Sequence, residues 1–141
     1  MGVILDSSVV ILAERRGYSV EDLLAQVLRS SGDQDAALSA VGLTELIHGI
    51  YRASSQQIRS RRELFLRQIM SDLTTYPYTE ATAEIAGRID GEQTARGIII
   101  PFPDLLIGAT ALSLGFMVMT LNARHFQLIP GLKVVSPDPT P

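Results

Sequence analysis

The chain has 141 residues, a formal charge of −3 and 46% hydrophobic residues, a size and composition that suit one folded domain with a core of its own. It has no cysteine, which excludes disulfides, Cys-ligated zinc, iron–sulfur clusters and thiol nucleophiles. The acidic balance argues against a simple basic nucleic-acid binder, and with only two histidines, His48 and His125, any metal would be held mainly by oxygen.

In chain order, residues 3–5 (Val-Ile-Leu) form a short apolar run that reads as a buried parallel strand, followed by Asp6-Ser7-Ser8, which suit a helix start. Residues 9–14 and 20–29 are read as helices, the second from the spacing of Val20, Leu23, Leu24, Val27 and Leu28. Residues 36–40 are a weak strand, because alanine is a poor strand former. Helices follow over 43–53 and 56–72, then a short edge strand over 73–76 that ends at Pro77. Thr79 caps a helix running from 80 to about 96, stopped by Gly97. Pro101 to Pro103 lead into a helix over 104–114 closed by Gly115, and a buried strand is expected over 116–120. Residues 122–126 are a turn of helix or a loop, 132–135 the last strand, and 136–141 a flexible tail. Strands alternating with helices at this pitch define one α/β domain over 1–141, with a central, mostly parallel sheet covered by helices on both faces.

No transmembrane segment or secretory signal is visible, so cytoplasmic residence is expected. Eleven of the twelve cations are arginine, and four of them, Arg59, Arg61, Arg62 and Arg67, crowd together. The run reads as a solvated helix face, with a phosphate-gripping patch as the alternative. Tyr51, Tyr76 and Tyr78 read as core or interface rather than as base-stacking residues, since aromatics are only 6% of the chain.

Ligands of open α/β sheets bind outside the carboxyl ends of the strands, and Asp6 lies at such an end. Its alternative role is to cap the following helix. Glu45 stands among Leu43, Leu46 and Ile47, with the dipole of a helix start as an innocuous explanation. Asp104 stands in an apolar stretch from Ile98 to Ala109, where an unpaired carboxylate is costly. Three such acids are suited to converge on one hard divalent ion, Mg²⁺ or Mn²⁺, which takes oxygen ligands and keeps several waters. Arg15, Arg16, Arg52 and Arg124 are candidates for phosphate contact.

Four segments carry a family resemblance: residues 4–8 (Ile-Leu-Asp-Ser-Ser), 45–50 (Glu-Leu-Ile-His-Gly-Ile), 103–112 (from Pro-Asp-Leu-Leu-Ile-Gly) and 120–126 (Thr-Leu-Asn-Ala-Arg-His-Phe). In this order the sequence resembles the PIN-domain ribonucleases, specifically the VapC toxins of type II toxin–antitoxin pairs. The resemblance implies a metal-dependent endoribonuclease that hydrolyses RNA phosphodiesters by metal-activated water. It places the acids at Asp6, Glu45 and Asp104, with Asp6 and Asp104 as direct ligands and Glu45 binding through water or orienting the nucleophile. Asn122 falls where a fourth Asp or Asn is common, and Ser7 and Thr120 fall where hydroxyls line the site, with Arg124 a possible substrate contact. His125 departs from the pattern, standing where an acid is frequent, and His48 reads as a packing or surface residue with Gly49 in close helix contact. The resemblance further implies a homodimer and a VapB-type antitoxin. Leu23, Leu24, Val27 and Leu28, with Leu64, Phe65 and Ile69, are candidates for a groove that takes the antitoxin. The competing readings are a non-catalytic α/β binding module, whose acids only cap helices, and a DNA nuclease or phosphatase using the same acids.

Overall fold

The protein was analysed as a computed structural model that describes residues 1–138. The chain opens with β1 (Gly2–Leu5), α1 (Ser7–Arg15) and α2 (Val20–Ser31), then β2 (Asp35–Ser39), α3 (Ala40–Tyr51), α4 (Gln56–Asp72) and β3 (Thr74–Tyr76). It continues through α5 (Glu80–Ala95), α6 (Phe102–Leu114), β4 (Met117–Met119), α7 (Ala123–Phe126) and β5 (Val134–Val135). The five strands form one sheet in the order β3-β2-β1-β4-β5, with every pairing parallel. The chain winds outward from β1 to β3, then returns to the other side of β1 for β4 and β5. The reversal point lies between β1 and β4, where Leu5 is in register with Met119. A doubly wound sheet opens a crevice at such a reversal, outside the carboxyl ends of its strands.

Strand periodicity sorts the core into two layers. Val3, Leu5, Leu38, Met117 and Met119 face α1, α2, α3 and α4, where they meet Val9, Leu23, Leu46, Phe65 and Ile69. Ile4, Ala37 and Val118 face the opposite side and pack with Ile89 of α5, Leu105 and Ile107 of α6, and Phe126 of α7. Val3 and Ile4 are completely buried on their opposite faces, so β1 is covered on both sides, as the uninterrupted apolar run required. Gly108 lets α6 pack tightly on Ile129, with which a β-carbon there would collide. Gly49 does not mark close helix contact, because a β-carbon there would meet nothing within 4 Å.

Three helices begin earlier than the sequence pattern indicated, each for a local reason. Ser39 Oγ accepts from the Gly42 amide at 3.0 Å, so Ala40 is the first residue of α3 rather than the last of a strand. α6 starts at Phe102 because its prolines fall in positions where a helix needs no amide hydrogen. α1 starts at Ser7, directly behind Asp6 in extended conformation. The weak alanine strand does form, held between β1 and β3 in spite of its propensity.

The arginine run is used internally. Arg61 Nε lies 2.7 Å from the buried Glu14 carboxylate, tying α4 to α1. Arg62 donates to the Gly49 carbonyl at 2.7 Å and Arg59 to the Tyr51 carbonyl at 3.3 Å, over whose ring it stacks. Both neutralise the carbonyl end of α3. Arg67 pairs with Glu63 one turn away at 3.1 Å. Arg61 and Arg67 remain largely exposed, at 61% and 75% of their side chains, so the solvated-face reading holds for them while Arg59 and Arg62 serve the end of α3. At the other end of the chain, the Asp138 amide donates to Ser30 Oγ at 2.6 Å and its carbonyl accepts from Gln26 at 2.8 Å. The segment expected to be flexible is therefore held to α2 as far as Asp138, and its last three residues lie outside the described residues. Among the described residues no helix is long and apolar enough to cross a membrane.

Candidate metal centre

Asp6, Glu45 and Asp104 reach one region from three elements. Asp6 follows β1, at the reversal point of the sheet, and its amide donates to the Met119 carbonyl of β4 at 2.9 Å. Glu45 projects from the middle of α3 and Asp104 from the first turn of α6. Their proximity is electrostatic as well as topological. Burial pushes the Glu45 carboxyl above its ordinary range; the Ser7 hydrogen bond pulls it back, and the charges of Asp6 and Asp104 push it up again. Burial likewise raises the Asp104 carboxyl, against the pull of the His125 hydrogen bond, with the Asp6 charge adding to the rise. Every pair among the three acids is thus in mutual repulsion.

The innocuous explanations fail for two of them. Asp6 occupies the position before α1 but makes no capping hydrogen bond with its side chain. Its carboxylate is 2% exposed and turned inward: Oδ2 accepts from Ser8 Oγ at 2.7 Å and from Thr120 Oγ1 at 2.8 Å. Because α3 begins at Ala40, Glu45 lies beyond the first turn and outside the reach of the helix-start dipole. Asp104 does lie in a first turn, where the dipole favours its charge. Asp6 and Glu45 have no cationic side chain paired with them among the described residues.

The remaining residues read from the sequence divide by role. Ser7 Oγ donates to Glu45 Oε1 at 3.1 Å. Thr120 is fully buried, donating to Asp6 while accepting from the Asn122 amide at 2.9 Å, so it acts on the site from behind Asp6. Asn122 is exposed just before α7 and makes no side-chain cap, leaving its side-chain amide free. Arg124 and His48 are exposed. Two contacts were missed in the sequence. Ser8, read there as part of a helix start, bonds Asp6, and its oxygen accepts from the Leu121 amide at 3.1 Å. His125 Nδ1 lies 2.8 Å from Asp104 Oδ2, bringing α7 onto α6. The first had a visible signal, a hydroxyl two residues beyond a strand-end acid; the second, 21 residues apart, had none.

A cleft of about 460 Å³ opens beside the Ser7–Glu45 pair, with Ile11, Leu46 and Phe65 in its wall and Arg15, Arg52 and Arg62 at its edges. A cleft of the same volume, bounded by Leu28, Asp33, Asp72 and Phe116, contains none of the site residues.

Among the described residues no three His, Asp or Glu side chains form a ready-made cation cage. The donor set nonetheless fits a hard cation: three oxygen-bearing, mutually repelling acids, two without a counter-charge, are relieved by one divalent ion. Because the folded carboxyls of Glu45 and Asp104 bind protons more tightly than unfolded ones, they cost the metal-free protein stability at neutral pH. That cost disappears as pH falls through the raised values toward about pH 4, where unfolded carboxyls also protonate. Metal-free Glu45→Gln is therefore expected to melt a few degrees above wild type at pH 7. The gap should close on acidification, as followed by circular dichroism; a gap independent of pH would contradict the repulsion.

One buried and two half-buried carboxylates that repel one another thus stand near the reversal point of a parallel sheet, Asp6 and Glu45 held by hydroxyls and Asp104 by an imidazole. A family model for the PIN domain matches residues 3–132. The chain is 32% identical to Ribonuclease VapC of Rickettsia bellii over 136 residues, covering 96% of each protein. It is 30% identical over 96 residues to the tRNA(fMet)-specific endonuclease VapC of Shigella flexneri, covering 68% of this chain and 70% of that one. Its fold superposes on a chain in the crystal structure of VapBC2 from Rickettsia felis bound to a promoter DNA fragment, with TM-score 0.83, 21% identity and coverage of 98% and 100%. VapBC-5 of Mycobacterium tuberculosis gives TM-score 0.72 at 26% identity, covering 96% of this chain and 98% of that one. The chain belongs to the PIN-domain family and, within it, to the VapC ribonucleases.

Proposed function

We propose that the protein is a toxin endoribonuclease that hydrolyses RNA phosphodiester bonds with Mg²⁺ or Mn²⁺, restrained by a VapB-type antitoxin. The observation that carries this reading is the mutual repulsion of Asp6, Glu45 and Asp104 at the sheet reversal, with no cation on Asp6 or Glu45. When bound, a divalent cation supplies a Lewis acid that acidifies water and offsets the charge developing on the phosphodiester. Asp6 and Asp104 would hold it. Glu45, fixed by Ser7, orients the attacking water and takes its proton. Asn122 assists through its amide oxygen, Thr120 holds Asp6 in place, and Arg124 meets a substrate phosphate. Family relatives named as ribonucleases and a tRNA(fMet)-specific endonuclease support RNA as the substrate class.

The partner and assembly follow the same reading. VapBC complexes among the structural neighbours support an antitoxin of the VapB type, and the cleft beside Glu45 offers apolar walls between arginines for a segment of it. The toxin itself acts as a homodimer.

Incubating the purified chain with tRNA and rRNA is expected to give cleavage with Mg²⁺ or Mn²⁺, none with chelator, and none with Asp104→Ala. Millimolar metal should also raise the melting temperature of the wild type but not of Asp104→Ala. Absence of both effects would favour the binding module, and cleavage of DNA but not RNA would favour the DNA nuclease.

A further inference from the structure

Each of the three acids has one oxygen engaged by a donor and one oxygen left open. Asp6 Oδ2 accepts from Ser8 and Thr120, at 2.7 Å and 2.8 Å. Glu45 Oε1 accepts from Ser7 at 3.1 Å, and Asp104 Oδ2 faces His125 Nδ1 at 2.8 Å. Oδ1 of Asp6, Oε2 of Glu45 and Oδ1 of Asp104 have no protein donor among the described residues. The pattern is the same on three separate elements, built from three hydroxyls and one imidazole.

We propose that Ser8, Thr120 and His125 reduce Asp6 and Asp104 to one-oxygen ligands, while Ser7 leaves Glu45 a single open oxygen for water, and that this donor fence makes the site select a small octahedral cation over a larger one. The inference rests on the metal-centre reading above and specifies what that centre prefers. Ca²⁺ takes about 6–8 oxygens at about 2.3–2.6 Å and commonly draws both oxygens of a carboxylate. Mg²⁺ requires about 2.0–2.1 Å in near-ideal octahedral geometry and is satisfied by single carboxylate oxygens completed by water. For Asp6 to embrace an ion with both oxygens, Oδ2 must surrender one of its two charge-assisted hydrogen bonds, and for Asp104 the ion must share Oδ2 with the His125 donor. Small ions impose no such loss.

His125 is the informative member of the fence. An ionised carboxylate only accepts, so Nδ1 carries the hydrogen and acts through Asp104; His125 is a positioning residue. Its side chain is 43% exposed, so replacing it removes a donor without emptying the core. An acid in its place would instead repel Asp104 and leave both of that residue's oxygens open. Asparagine can set an amide nitrogen where Nδ1 stands, whereas glutamine sets one near the position of Nε2.

The experiment titrates metal-free protein with Mg²⁺, Mn²⁺ and Ca²⁺, read by thermal shift and by displacement of Mn²⁺ from its paramagnetic resonance signal. Wild type is expected to prefer Mg²⁺ and Mn²⁺ to Ca²⁺, and His125→Ala to lower that preference about tenfold, the equivalent of one lost charge-assisted bond. His125→Asn should restore the preference and His125→Gln should not; Ser8→Ala should lower it through Asp6. A preference unchanged in both His125→Ala and Ser8→Ala overturns the proposal, as does an Asn variant that behaves like Ala. If wild type binds no divalent ion, the metal centre itself is overturned. If wild type binds and Asp6→Asn does not, while the preference is unmoved by the fence variants, only the fence is overturned.

Discussion

Asp6→Asn is expected to lower RNA cleavage about a thousandfold or more while the protein remains folded. The substitution removes a charge that holds the cation, and a lost charge–cation contact of several kcal/mol corresponds to about three powers of ten in rate. The fold should survive because the amide oxygen can still accept from Ser8 and Thr120, as Oδ2 of Asp6 does at 2.7 Å and 2.8 Å. Removing the charge also relieves Glu45 and Asp104, which the Asp6 carboxylate pushes upward. Gel-resolved cleavage beside a thermal melt checks both parts. Cleavage at the wild-type rate would end the catalytic assignment, and an unfolded variant would show that Asp6 is needed chiefly for structure.

Thr120→Val should cost both stability and activity, although it changes almost no volume. The hydroxyl lies in a completely buried position between Asp6 and the Asn122 amide. Valine fills the space but leaves the buried Asp6 carboxylate with Ser8 alone. Losing a hydrogen bond to a charged group costs about 1.5–3 kcal/mol, which for a chain of this size lowers the melting temperature by several degrees. Cleavage should fall about 10–100-fold, the usual effect of losing a residue that orients a metal ligand. Thr120→Ser keeps the hydroxyl and should recover most of the activity. A fully active Thr120→Val would mean that Ser8 alone fixes Asp6.

Most of the fold could be read along the chain because its signals are local. The apolar run before Asp6, the helical spacing of Leu23, Leu24, Val27 and Leu28, and the glycine after α6 each announce an element within a few residues. Boundaries slipped where a side chain decides them, as at Ser39, whose capping bond assigns Ala40 to a helix. The three acids stood out because carboxylates in apolar settings are costly, and the family likeness joined them. Of their donors, Ser7 and Thr120 were named only through the family likeness: Thr120 lies 114 residues from Asp6 along the chain, and no periodicity links a hydroxyl to an acid at that separation. His125 carried no pattern that aimed it at Asp104. The arginine run was legible in part: its density indicated a charged surface, which Arg61 and Arg67 provide, whereas Arg59 and Arg62 reach back to carbonyls at the end of α3.

The bond from Thr120 to Asp6 joins the first strand to a segment that follows β4. Synthesis runs from the amino end, so a nascent chain displays the first acid long before the hydroxyl that seats it, and Asp104 and His125 also arrive late. A ribosome halted before that point yields a fragment without a complete cutting centre. Truncation anywhere ahead of residue 120 leaves the first acid with one hydroxyl where the finished chain supplies two.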